Sequence, residues 1–244
     1  MKITASALLA LVLALPGPAV SAGWDEVLTM LGPNDAAVAA DKHGRILFAH
    51  NPDKHLVPAS AIKLVTALVS LSVLGENFRF KTEFYTDNEK NLYIKGYGDP
   101  LLVSEQVESI SEKLAARLGS VNDIVADDTY FAEKIEIPGT RSYSHQPYDS
   151  PAGALCVNFN TAAVKKTGSG YISAEPQTPL LPRVLAKARS FDAETGRILL
   201  SGKNRENLMY AGELFAHFLE KHGTEINGVI RPGTAKPAQH RLIY

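Results

Sequence analysis

The chain has 244 residues, of which 45% are apolar, 21% charged and only 8% aromatic. That length can bury a sizeable core as one large domain or two small ones, and the ordinary composition argues against disorder, collagen and a disulfide-dense scaffold. With 25 basic and 26 acidic side chains the net charge is −1, which leaves no electrostatic footprint for nucleic acid or anionic lipid. One cysteine, Cys156, excludes an intrachain disulfide.

The first 22 residues read as a secretory signal peptide. Lys2 supplies a positive start, Ala5 to Leu15 is apolar apart from Ser6, and Pro16-Gly17-Pro18 breaks the run. Val20-Ser21-Ala22 then has the small-x-small form of a cleavage site. A membrane-spanning helix needs about 20 apolar residues, more than this run offers, and nothing later in the chain is long enough either. The expected mature protein begins near Gly23, loses Lys2 and so moves from −1 to −2, and works outside the cytoplasm. An unpaired Cys156 has no partner to mispair with in an oxidising compartment.

Trp24 to Leu31 is a short amphipathic stretch closed by Gly32-Pro33. Ala36 to Ala40 and Arg45 to His50 flank Asp41-Lys42-His43-Gly44, the pattern of a hairpin. Leu64 to Leu74 is apolar almost all the way round and stops at Gly75, which predicts a helix buried at the centre of a domain. From Phe78 onward the texture is short strands and turns, with candidates at Phe80–Thr86, Asn91–Ile94, Ile124–Ala126, Val157–Val164, Tyr171–Ala174, Arg197–Leu200 and Ile226–Ile230. Val107, Ile110, Leu114 and Leu118 mark one helix face. Leu208, Ala211, Leu214, Phe215, Phe218 and Leu219 mark another, with Gly223 just beyond its end. Arg231-Pro232-Gly233 reads as a turn.

The sharpest chemical constellation is Ser60-Ala61-Ile62-Lys63. A serine and a lysine three apart at a helix start share a face, so the amine can reach the hydroxyl and take its proton. Backbone N–H dipoles at a helix start also suit a developing oxyanion. The same four residues admit a second reading, in which Ser60 caps the helix and Lys63 is a solvated first-turn residue.

Other chemistry is less well supported. The seven histidines are scattered, and no histidine or cysteine spacing indicates a metal site, so no metal or other cofactor is expected. Gly96-Tyr97-Gly98 lacks the third glycine of a dinucleotide loop. Cys156 reads as a core residue, and Asp127-Asp128 as turn-formers rather than an acid/base pair.

Pro58-Ala59-Ser60-Ala61-Ile62-Lys63-Leu64-Val65-Thr66-Ala67, followed by Leu74-Gly75 and Phe78-Arg79-Phe80, resembles the opening of the serine D-Ala-D-Ala carboxypeptidase/endopeptidase family, the class C low-molecular-mass penicillin-binding proteins. Further segments follow in that family's order. They are Gly96-Tyr97-Gly98-Asp99-Pro100-Leu101, Asp127-Asp128-Thr129-Tyr130-Phe131, and Ser150 to Leu155 with Val157-Asn158-Phe159-Asn160. Tyr210 to Phe215 and Gly228 to Gly233 complete the series, so the resemblance runs from about Ala36 to Gly233.

The resemblance implies an α/β (α+β) transpeptidase fold of the penicillin-binding-protein/β-lactamase type, incomplete here, with a β-rich domain inserted after the nucleophile helix. Residues 23–85 would open the catalytic domain, 86–204 would be the insertion, and 205–244 would return to the catalytic domain. Ser60 would be the acyl-enzyme nucleophile and Lys63 its general base. Stem peptides of peptidoglycan ending in D-Ala-D-Ala would be the substrate, with β-lactams as covalent inhibitors. The protein would be periplasmic or extracellular, without a membrane span in its mature form.

The family also uses S-x-N and K-T-G motifs, expected beyond Tyr244. Ser120-Val121-Asn122 and Lys166-Thr167-Gly168 occur within the insertion and are expected to be chance matches. Two alternatives follow: a silent, truncated wall- or partner-binding module, and a compact β-lactamase-like enzyme that does use these two runs.

Overall fold

Asp41 builds the first turn, its carboxylate accepting the N–H groups of His43 and Arg45 while Gly44 takes φ 82°. Helix α1, Trp24–Met30, precedes it, and strands β1, Ala37–Ala40, and β2, Ile46–His50, flank it as the expected antiparallel hairpin. Trp24 stacks on Phe48 with centroids 4.9 Å apart. Lys54 Nζ donates to the Pro33 carbonyl at 2.6 Å, which ties the loop after β2 to the loop before β1. A 3₁₀ turn, Ala59–Ala61, then runs directly into helix α2, Ile62–Leu74, which Gly75 ends at φ 81°.

This computed structural model describes residues 23–132, 146–190, 192 and 194–244. The proposed signal peptide and part of the Pro-, Gly- and Ser-rich section after Pro138 lie outside them. The chain forms two compact units, Met1–Phe78 and Arg79–Tyr244. In the first, the expectation of a central buried helix is corrected: α2 has no buried residue, and Leu64 and Val73 are 72% and 76% exposed. A helix apolar on all sides needs cover on all sides, and a two-stranded hairpin with one two-turn helix cannot provide it.

The second unit is built on a five-stranded mixed sheet. Strands β3, Thr82–Thr86, and β4, Leu92–Gly96, are an antiparallel pair joined by the Asp87–Asn91 turn. Helix α3, Ser104–Ala115, and the short strand β5, Ser120–Val121, lead to β6, Ile124–Asp127, which pairs parallel to β4. Strands β7, Thr161–Thr167, β8, Gly170–Ser173, and β9, Thr195–Leu199, make a separate antiparallel sheet, with helix α4, Pro182–Ser190, between the last two in sequence. Helix α5, Asn204–Lys221, is followed by β10, Glu225–Ile226, β11, Ile230–Pro232, and β12, Arg241–Leu242. The large sheet runs β11-β6-β4-β3-β12.

Strand alternation sorts this sheet's side chains into two faces. Phe84, Leu92, Ile94, Ile124 and Ala126 join the main core with Val107 and Leu114 of α3 and with Tyr210, Leu214, Phe215 and Leu219 of α5. Phe84 and Phe215 meet edge to face at 5.3 Å. A methyl group at Gly212 would overlap the Ile230 side chain, so α5 can lie this close to β11 only without one. On the other face Tyr85, Tyr93, Val125 and Ala235 form a smaller cluster, and the buried Asp127 pairs with Lys95 at 3.0 Å.

Several sequence expectations need correction. The strand expected over Val157–Val164 starts at Thr161, because Asn158, Phe159 and Asn160 take φ of 48°, 59° and 54°. The strand expected over Ile226–Ile230 is split where Gly228 N–H turns to the Asn122 carbonyl and Val229 N–H to Asp123. Arg231 and Pro232, expected to turn the chain out, belong to β11, and the chain returns to the sheet as β12. Cys156 lies in a loop just before the Asn158–Asn160 turn.

Candidate active site

Ser60 sits in the 3₁₀ turn that opens α2, and Lys63 lies one turn on. Lys63 Nζ donates to Ser60 Oγ at 3.2 Å. Neither the 3₁₀ turn nor α2 carries a side-chain cap, so the capping reading of Ser60 is not what the structure holds. Ala59, the residue just before the serine, takes φ 46°, in the left-handed region that costs a residue with a Cβ of order 1 kcal/mol. Ala61 N–H closes the turn on the Pro58 carbonyl at 3.0 Å. Ser60 and Lys63 are both exposed. The arrangement is a hydroxyl on a strained turn, held by a primary amine: the elements of nucleophilic acyl transfer.

The two other candidate motifs are occupied with structure. Asn122 N–H and side-chain amide go to the Lys90 and Glu89 carbonyls, and Ser120 belongs to β5, paired with β10. Lys166 pairs with Asp192 and Glu194, and Thr167 Oγ1 donates to the Gly170 carbonyl across the β7–β8 turn. The runs lie in different sheets, β5 with β10 and β7 with β8 and β9.

The remaining segments of the resemblance converge within the second unit, and there they touch one another. Gly98 N–H donates to the Ala154 carbonyl at 2.8 Å, at φ 84°. A Cβ on Gly96 would overlap the backbone at Ala154 and Leu155. Asp128 accepts the Leu155 N–H at 2.7 Å and also the Asn204 side-chain amide. Asn158 Nδ2 donates to the Tyr210 hydroxyl at 3.0 Å and to Ser104 Oγ at 2.9 Å, and its Oδ1 accepts the Ser104 N–H. Burial pushes the Tyr210 phenol up to about 12. These residues hold the unit together.

Asp127 accepts Thr129 N–H and Oγ1, Ala235 N–H and Lys95, in keeping with the turn role read for it. Burial pushes the Cys156 thiol up to about 11, an inert setting. Glu83 is held at about 2: partial burial pushes its carboxyl up, but donation from Lys81, Tyr85 and Tyr97 outweighs that. Among the described residues no group of three or more histidine, cysteine or carboxylate side chains could hold a metal ion. No helix of the described residues is long and apolar enough to cross a membrane. The left-handed Ala59 was invisible to sequence reading, since alanine carries no signal for that conformation.

The fold is of mixed α/β type, and it places a lysine amine on a serine hydroxyl at the start of a helix. Comparison with known proteins is specific: residues 29–184 match the D-Ala-D-Ala carboxypeptidase 3 (S13) family. The D-alanyl-D-alanine carboxypeptidase of Actinomadura sp. (strain R39) is 35% identical over 78% of the chain and 44% of its own length. The crystal structure of penicillin binding protein 4 from Haemophilus influenzae superposes with a TM-score of 0.58 at 21% identity, covering 89% of this chain and 57% of that one. Its complex with a novel β-lactam gives 0.52 at 19% identity, covering 90% and 56%. The chain therefore belongs to the D-Ala-D-Ala carboxypeptidase 3 (S13) family and shares the fold of those penicillin-binding proteins, while spanning less than half the length of the curated relative.

Proposed function

We propose that the protein is an exported serine-type D-Ala-D-Ala carboxypeptidase/endopeptidase that acts on peptidoglycan stem peptides through an acyl-enzyme at Ser60. The observation that carries this reading is the 3.2 Å contact from Lys63 Nζ to Ser60 Oγ, within the span matched to the family. Lys63 takes the hydroxyl proton as Ser60 Oγ attacks the carbonyl between the two D-Ala residues. The C–N bond then breaks, the departing amine takes up the proton, and D-Ala leaves. Water attacks the ester, restoring Ser60 and freeing the shortened stem. β-Lactams enter by the same first step: their strained amide opens on Ser60 and the leaving nitrogen stays tethered.

In this reading the unit containing Ser60 opens the catalytic domain, and the second unit is the inserted region. Against the expectation that residues 205–244 return to the catalytic domain, helix α5 is read here with the insertion, because Leu208, Tyr210, Leu214 and Phe215 are buried in that unit's core. Residues 1–22 are the signal for export, removed near Ala22. The test is D-Ala release from a peptide ending in D-Ala-D-Ala. The parent should release it, Ser60→Ala should not, and Lys63→Ala should be slower by about 10²–10⁴. Equal rates in parent and Lys63→Ala would remove Lys63 from the mechanism.

A further inference from the structure

The second unit carries a cavity of about 530 Å³ that the Ser60 chemistry does not use. Lys90, Arg117 and Arg241 line it, together with Asp87 and Glu225. A smaller concavity of about 330 Å³ shares Arg117, Leu118 and Arg241 with it.

The three cations arrive on three separately anchored segments. Lys90 sits at φ 61° in the β3–β4 turn, which Asn122 pins by bonding to the Glu89 and Lys90 carbonyls. Arg117 follows α3 and donates to the Ile243 carbonyl at 2.6 Å, so its guanidinium is positioned by the residue just after β12 rather than by a carboxylate. Arg241 lies on β12, whose register is fixed opposite Thr86 and Tyr85 of β3.

Charge pairing distinguishes these cations from three other arginines of the unit. Arg183, Arg197 and Arg231 each hold a carboxylate partner. None of Lys90, Arg117 and Arg241 forms an ion pair among the described residues. Of the two acidic lining residues, Asp87 keeps its charge but has its oxygens engaged within the β3–β4 turn. Partial burial pushes its carboxyl up, but Asn91 side chain and backbone, Tyr93 hydroxyl and Glu89 N–H all donate to it and keep it ionised. Glu225 is exposed and pairs with none of the cations within 4 Å. Two guanidinium forks and an ammonium, lining a space larger than one small ion, match an oxyanion carried on a larger molecule.

We infer that this cavity binds a carboxylate or phosphate group borne on a longer chain, with Arg117 and Arg241 as its principal donors. The site is independent of the Ser60 reading. Its test is isothermal titration of the full chain at low salt with two probes, inorganic phosphate and the acidic dipeptide acetyl-Ala-Glu. Saturable one-site binding is expected, about tenfold weaker in Arg241→Gln and unchanged in Arg189→Gln and Ser60→Ala. Arg241 has no side-chain partner to lose, so that variant should keep the parent's melting temperature. Binding of phosphate alone assigns the site to phosphodiester polymers, and binding of the dipeptide alone to peptide carboxylates. No saturable binding, or equal weakening in Arg189→Gln and Arg241→Gln, overturns the inference.

Discussion

The two units of this chain use apolar residues in opposite ways. Between residues 23 and 78 no side chain is buried, although α2 is the most apolar helix of the described residues. Between 79 and 244 the helices are less apolar and far better covered: α5 buries ten residues and α3 four. An apolar stripe meets one neighbour and is satisfied by it, whereas an all-round apolar helix needs a whole domain about it. Hydrophobicity in a sequence says where cover is needed; the fold decides where it is supplied.

The largest effect should come from the core of the second unit. Phe215→Ala removes a ring that packs on Phe84 and should cost about 3–5 kcal/mol in chemical denaturation followed by circular dichroism. Leu68→Ala, at a position 65% exposed in α2, should change the same transition by no more than about 0.5 kcal/mol. A comparable loss from both would erase the contrast between the units. Removing the carboxylate partner of Lys95 with Asp127→Ala should cost about 3 kcal/mol, since it leaves a mostly buried ammonium unpaired.

A pH titration sharpens the comparison next. Because Glu83 is depressed from 4.5 to about 2, its contribution is complete above pH 4.5 and is lost as pH falls from there toward 2. Thermal melts over that window should show the second unit losing stability, and Glu83→Gln should flatten the dependence. The smallest effect is expected at Ala59, where glycine relieves the left-handed backbone and should raise stability by about 1 kcal/mol or less.

Local patterns were the legible part. The hairpin around Asp41, the face set by Val107 and Leu114, and the stripe from Leu208 to Leu219 each follow from periodicity and turn chemistry read over a few residues. The motif at Ser60 and Lys63 was legible for the same reason, since three residues of spacing on a helix start dictate the contact. Pro182 at the first position of α4 was an available signal that went unread. What stayed hidden depends on partners distant in sequence. Asn158 to Asn160 abandon the strand for a left-handed turn because Ser104 and Tyr210 hold the Asn158 amide. β12 exists only because the edge of β3 is open to it.

The central claim is that Ser60 is the activated nucleophile, and intact-mass spectrometry after incubation with benzylpenicillin tests it most directly. The account predicts one covalently bound penicillin on the parent chain and none on Ser60→Ala. A parent shown to be folded by its melting transition, yet unmodified at saturating benzylpenicillin, would contradict it and leave the chain a binding module of the same family.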